Sequence, residues 1–162
     1  MTETKPSRRR GGRRWLIRLM NLFPPYLGAG IRVRPNTDLS AFDVRMKLRW
    51  WNRNYVGTHF GGSLYSLVDP FYMLILFEAL GPGYIVWDKA ATIRFRRPGR
   101  GTVHARFEIG PERVAEIRAA ADRDGKVEPT FLAEVRDEEG QLIAEVEKLL
   151  YVRRSAPTAS ES

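Results

Sequence analysis

The stretch NYVGTHFGGSLYSLVDPFYMLILF, residues 54–77, is the most apolar in the chain, and its one formal charge, Asp69, is followed at once by Pro70. From Ser63 onward it lacks the two-residue alternation of a strand, and it stops before Gly81-Pro82-Gly83. Those features predict a helix over 63–80 that is buried nearly all round. The uninterrupted run falls short of the ~18 to 20 residues that span a bilayer and has Asp69 at its middle, so it reads as a core helix. A buried carboxylate is costly unless it is paired, hydrogen-bonded or beside a wet cleft. Pro70 cannot donate to the carbonyl of Ser66, an interruption that costs about 3 kcal/mol in a regular helix.

Outward from this segment the pattern changes to strands. Residues 29–35 and 42–50 alternate apolar and polar, with Val44, Met46, Leu48 and Trp50 on one face and Asp43, Arg45, Lys47 and Arg49 on the other. Further strand-like runs cover 84–97, 101–109, 127–137 and 141–153. The turn signals Pro98-Gly99-Arg100-Gly101 and Asp137-Glu138-Glu139-Gly140 predict that these form two hairpins. Residues 111–125 read as a short surface helix or a loop. A short amphipathic helix over 14–23 is expected to stop at Pro24-Pro25. An apolar helix needs a surface around it, and a curved antiparallel sheet supplies one, so the fold class is α+β with one central helix wrapped by the sheet. A second subunit is expected to cover the rest of the helix.

At 162 residues the chain fits one domain, and it has no cysteine, which excludes disulfides and thiolate chemistry. Its two histidines, His59 and His104, have no ligand spacing, and no metal site or cofactor is expected. The net charge of +8 is uneven: residues 1–60 carry 13 Lys/Arg against 3 Asp/Glu, the remainder 14 against 16. The expected organisation is a disordered basic tail over 1–13, a single domain over 14–153 and a disordered tail over 154–162. WLIRLMNLF (15–23) is short, broken by Arg18 and lacks a small-residue cleavage site, so the protein is expected to be cytoplasmic, with an organellar transit peptide as the other reading.

The phrase Asn54-Tyr55-Val56-Gly57-Thr58-His59-Phe60-Gly61-Gly62, with Asp69 seven residues further on, resembles the signature of the PaaI-type acyl-CoA thioesterases of the hotdog fold. That signature is N-x-x-G-x-x-H-G-G followed by an acid on the same helix. Phe95-Arg96-Arg97-Pro98 with Gly101 is similar to a strand and turn of the same superfamily, and the resemblance runs over roughly 20–153 to one of its uncharacterised branches. It implies a hotdog domain with an added N-terminal helix, dimeric or a dimer of dimers, that hydrolyses an acyl-CoA or similar thioester at a dimer interface.

In that reading Asp69 is the base or nucleophile, Asn54 positions water or substrate, and the amides of Gly61 and Gly62 form the oxyanion hole. His59, Phe60, Tyr65, Arg96 and Arg97 are the substrate-binding candidates, the arginines through the phosphates of CoA. The chain departs from the signature at one place: Phe60 stands where the histidine belongs, and His59, one residue earlier, is expected to face the surface. Asp88 and Lys89 begin the strand after the helix, near where relatives carry a supporting polar residue. Two other readings compete. One is a non-catalytic acyl-CoA-binding protein on the same fold. The other is a basic module whose arginine-rich N-terminus touches a membrane or, less in keeping with the sequence, nucleic acid.

Overall fold

The structure is a computed structural model and describes residues 19–155. The expected basic tail, residues 14–18 of the first predicted helix and most of the C-terminal tail lie outside the described residues. Of the predicted first helix the described residues hold a 3-10 turn, Met20–Leu22, which ends before Pro24-Pro25 as expected, and the prolines also start a helix: α1 (Pro24–Ala29) carries both in its first turn, where a missing N–H breaks no bond. It ends at Gly30, whose φ of 74° is the left-handed cap that glycine adopts without strain.

Strands β1 (Ile31–Pro35) and β2 (Ala41–Lys47) pair antiparallel. The strand predicted to reach residue 50 ends at Lys47, and Trp50 is 78% exposed. The buried Asn52 side chain explains the early end. It accepts from Arg49 N–H and donates to the carbonyls of Ala29 and Lys47, which turns the chain off the sheet.

The apolar segment forms α2 (Gly61–Ser66) and α3 (Phe71–Leu80), with a turn between them and a cis peptide bond between Asp69 and Pro70. The predicted helix is thus present but divided at the proline, because Pro70 has no N–H to continue the ladder. In the break, Val68 and Asp69 N–H both bond the Tyr65 carbonyl, at 2.9 and 3.1 Å. The Tyr26 hydroxyl of α1 donates to the carbonyl of Asp69 at 2.6 Å, so the N-terminal addition caps the interruption.

After the helix come β3 (Tyr84–Phe95), β4 (Thr102–Glu108), α4 (Pro111–Asp124), β5 (Lys126–Val127), β6 (Thr130–Asp137) and β7 (Leu142–Arg154). The segment left open between helix and loop is therefore α4. It starts on a proline, ends at a left-handed glycine and buries Ile117 and Ala121. The sheet order is β1-β2-β4-β6-β7-β3, antiparallel throughout, with β5 against the end of β7.

The expected β6–β7 hairpin forms, and β7 runs to Arg154, one residue into the expected tail. The expected hairpin of β3 with β4 does not. β3 is an edge strand paired with β7, and β4 lies between β2 and β6. A Pro-Gly cluster marks a chain reversal without choosing the strand's partner. Here residues 96–101 cross the end of the sheet instead, with Arg96 and Arg97 N–H on the Ile143 carbonyl at 2.8 and 3.1 Å.

The core lies between the sheet's inner face and the helix. Fully buried Phe71 packs on Phe107 and Phe42, with ring centroids at 4.8 and 5.2 Å, while Tyr72 stacks on Phe131 at 4.7 Å. Met73, Leu74 and Phe77 stay half-buried on the other side of α3. Tyr26→Phe leaves the Asp69 carbonyl without its donor and is expected to lower stability by about 1 to 3 kcal/mol, measured by urea denaturation.

Candidate functional site

From Ala144 onward β7 alternates, and its inward row reads Ala144, Val146, Lys148, Leu150, Val152, each at most 1% exposed. Lys148 therefore projects an ammonium from the middle of an apolar row. A desolvated cation needs anions around it. They come from two other elements: Asp69 Oδ1 in the helix break lies 2.7 Å from Lys148 Nζ, and Asp88 Oδ1 on β3 lies 3.1 Å from it. Asp88 faces inward because it stands opposite Leu150, next to a bulge at which the β3–β7 register shifts. The Tyr65 ring covers the group, with Nζ 5.3 Å from its centroid and 3.4 Å from its hydroxyl.

Burial opposes the charge on Lys148, but the hydrogen bond and charge of Asp69, with Asp88 behind them, outweigh it and hold the ammonium above the usual lysine range. At Asp88 burial wins over the attraction of Lys148 and, helped by the Asp69 charge, raises its pKa. The Lys148 side chain is 1% exposed, that of Asp88 22% and that of Asp69 40%, so Asp69 is the most solvent-exposed of the three charges. Sequence reasoning singled out Asp69 and touched on Asp88 but missed Lys148. The signal was there: a lysine in phase with the apolar residues of an alternating strand.

The motif glycines and arginines build a second feature. Asn54, His59, Gly61, Phe95, Arg97 and Arg100 are among the residues lining a groove of about 500 Å³ at the start of α2. Asn54 uses its amide fully within its own loop. Its Oδ1 accepts from Val56 and Thr58 N–H, and its Nδ2 donates to Thr58 Oγ1 and the His59 carbonyl.

His59 is not at the surface as expected. It is 3% exposed, lies against Gly99 and donates from Nε2 to the Gly101 carbonyl at 3.2 Å, tying the 54–60 loop to the crossing segment. Burial lowers its pKa, which keeps the ring neutral. Phe60 is 58% exposed.

A Cβ on Gly61 would come within 2.9 Å of the Phe95 ring, and one on Gly62 within 2.5 Å of Phe60, so both positions are sterically small. The first helical bond is Leu64 N–H to the Phe60 carbonyl, which leaves the preceding amides of Gly61 to Ser63 ahead of the ladder. Arg96 is paired with Glu145 at 2.6 Å and Arg97 bonds Gln141. The structure thus brings Asp69 and Tyr65 into one cluster and Asn54, His59, Gly61, Arg96 and Arg97 into another.

Known proteins share this architecture. A family described as "Domain of unknown function (DUF4442)" matches residues 12–152. A Pseudomonas aeruginosa protein of unknown function, called a "Probable Thioesterase", is 22% identical, with a TM-score of 0.74 over 88% of this chain and 96% of its own. A Haemophilus influenzae thioesterase is 16% identical, with a TM-score of 0.62 over 88% and 92%. The PaaI protein of the Escherichia coli phenylacetic acid degradation operon is 18% identical, with a TM-score of 0.57 over 91% and 96%. No curated protein matches. The fold is the hotdog fold, as the 54–69 motif implied.

The raised carboxyl of Asp88 fixes the sign of a pH effect. The native state holds this proton to higher pH than the unfolded chain, so its contribution to stability is full below about the ordinary 3.8 and is lost as pH rises through the folded value. In Asp88→Asn that loss is absent. The stability of the variant relative to the native protein is therefore expected to increase with pH above 3.8, read from urea denaturation over a pH series.

Proposed function

The chain belongs to that DUF4442 family, and from this premise we propose that it is an acyl-CoA thioesterase that uses Asp69 at a site shared between two protomers. The observation that carries the reading is Asp69 itself: a carboxylate at a helix break, fixed by Lys148 at 2.7 Å on its buried side and 40% exposed on the other. A fixed, half-desolvated carboxylate suits general-base work. In the proposed reaction water attacks the thioester carbonyl carbon while Asp69 takes its proton. The amides of Gly61 and Gly62 hold the oxyanion, the C–S bond breaks, and the departing thiolate recovers the proton.

The geometry of one chain supports sharing. Gly61 and Asp69 are eight residues apart along a helical path, roughly 12 Å at ~1.5 Å per residue. One carbonyl cannot touch both, so the amides serving Asp69 come from Gly61 of the partner subunit. Edge strand β3, paired only with β7 among the described residues, offers its outer edge along exposed Ala90, Ala91 and Thr92 for such a partner. Arg97 and Arg100 beside the groove suit the phosphates of CoA. In this reading Asn54 shapes the loop that presents the amides, and Phe60 gives that loop an apolar face where the family has a histidine.

Asp69→Asn is expected to reduce turnover of a panel of acyl-CoAs by about a hundredfold to ten-thousandfold while acyl-CoA binding persists. If neither form hydrolyses any thioester and both bind acyl-CoA, the chain is a binding protein on this fold. Sedimentation at micromolar concentration is expected to give a dimer or larger, and a monomer would remove the shared site.

A further inference from the structure

The outer face of the sheet carries a second feature, independent of the thioesterase reading. The registers place Arg32 opposite Arg45, Arg45 opposite His104, and His104 opposite Arg136, one residue from each of four consecutive strands. At ~4.8 Å between strands this is a straight row roughly 14 Å long. Within it Arg32 and Arg45 are like charges directly opposite one another, a pairing unfavourable for the fold alone.

Acids on this face pair with only some of its arginines. Asp43 and Glu108 take Arg106 and Glu134 takes Arg136, whereas Arg32 and Arg45 have no acidic partner among the described residues. Beyond the row come Lys47 and Arg49, neither in an ion pair among the described residues, with the Glu138 carboxylate on the N–H of Thr102 opposite Lys47, then the exposed Trp50–Trp51 pair, with Arg49 over the Trp51 ring at 5.2 Å.

The Asn52 bonds to Ala29 and Lys47 hold the end of α1 beside this segment, and Leu22, Phe23 and Leu27, on or just before α1, are 64%, 52% and 44% exposed. Asn21, bonded to Val33 through both backbone groups, holds the segment before α1 against β1 and lines a groove of about 430 Å³ with Arg32, Arg34, Arg45 and Arg106 and the single acid Asp43.

We propose that this predominantly basic end of the outer face docks the protein on an anionic phospholipid bilayer, the arginine row on the headgroups and the tryptophan and leucine rim in the interface. Charge complementarity selects a polyanion, and the aliphatic rim selects lipid over nucleic acid, which has no use for Leu22 and Leu27. A second copy of the same face is excluded by its own charge. The patch lies at the β1 side of the sheet, at the opposite end from β3, and so stays open in a dimer built on that edge. The basic run KPSRRRGGRR (5–14), upstream in sequence, adds to the same attraction without being the surface itself.

The test is cosedimentation of the full-length protein with vesicles of phosphatidylcholine alone and of phosphatidylcholine with phosphatidylglycerol, at low and high ionic strength. Binding is expected only to the anionic vesicles and to weaken with salt. Arg32→Gln with Arg45→Gln is expected to lower partitioning by roughly 25-fold, about fivefold per guanidinium. Trp50→Phe with Trp51→Phe should lose the blue shift of tryptophan emission that vesicles produce, circular dichroism confirming that each variant is folded.

Equal binding to neutral vesicles, or unchanged partitioning of the arginine variant, overturns the proposal. So does salt-sensitive binding to a single-stranded oligonucleotide in the absence of vesicle binding. Acyl-CoA turnover in solution is read separately on the same variants, so failure of the thioesterase reading leaves this result intact.

Discussion

An ammonium ion that loses its water must find anions, and in this protein that requirement falls on Lys148. It sits where β7 would otherwise place an aliphatic side chain, and the two nearest elements answer it, Asp88 from β3 and Asp69 from the helix. For Asp69 to do so the helix has to turn its carboxylate toward the sheet just where Pro70 ends the ladder. The break, the ion cluster and the Tyr26 cap on the Asp69 carbonyl are therefore one arrangement, in which each part satisfies a polar group that another leaves exposed.

The cluster also gives Asp69 its character. A carboxylate in a regular buried helix would be driven to neutrality, and one on the surface would be mobile and fully solvated. Here Lys148 fixes one oxygen while solvent reaches the group, and Asp88 is the more deeply enclosed of the two carboxylates. The neutral His59 performs a different task, stitching the motif loop to the segment that crosses the sheet end. The polar residues of the motif thus divide into a charged cluster under the helix break and a hydrogen-bonded frame around the helix start.

Much of this was legible before any coordinates. The apolar run of 63–80, the alternation of β2 and β7, the β6–β7 turn and the isolated acid are local patterns set by side-chain polarity, and they gave the central helix, the wrapping sheet and Asp69. The double proline shows how the same local rule reads two ways, because Pro is as suited to begin a helix as to forbid its continuation. The early end of β2 depended on Asn52 reaching back to Ala29, a contact across 23 residues that no pattern within the strand announces.

Sequence alone determined the central apolar helix, the main strands and the isolated acid Asp69 within the helix, because those follow from backbone periodicity and the cost of burying polar groups. Tertiary structure decided which strand is whose neighbour: β3 passed over β4 for β7, and only that pairing places Asp88 beside Lys148 and sets Arg32, Arg45, His104 and Arg136 in one row. Pairing is chosen by hydrogen bonds between residues far apart in the chain. The two charge clusters are products of register, and register belongs to the folded sheet rather than to any one of its strands.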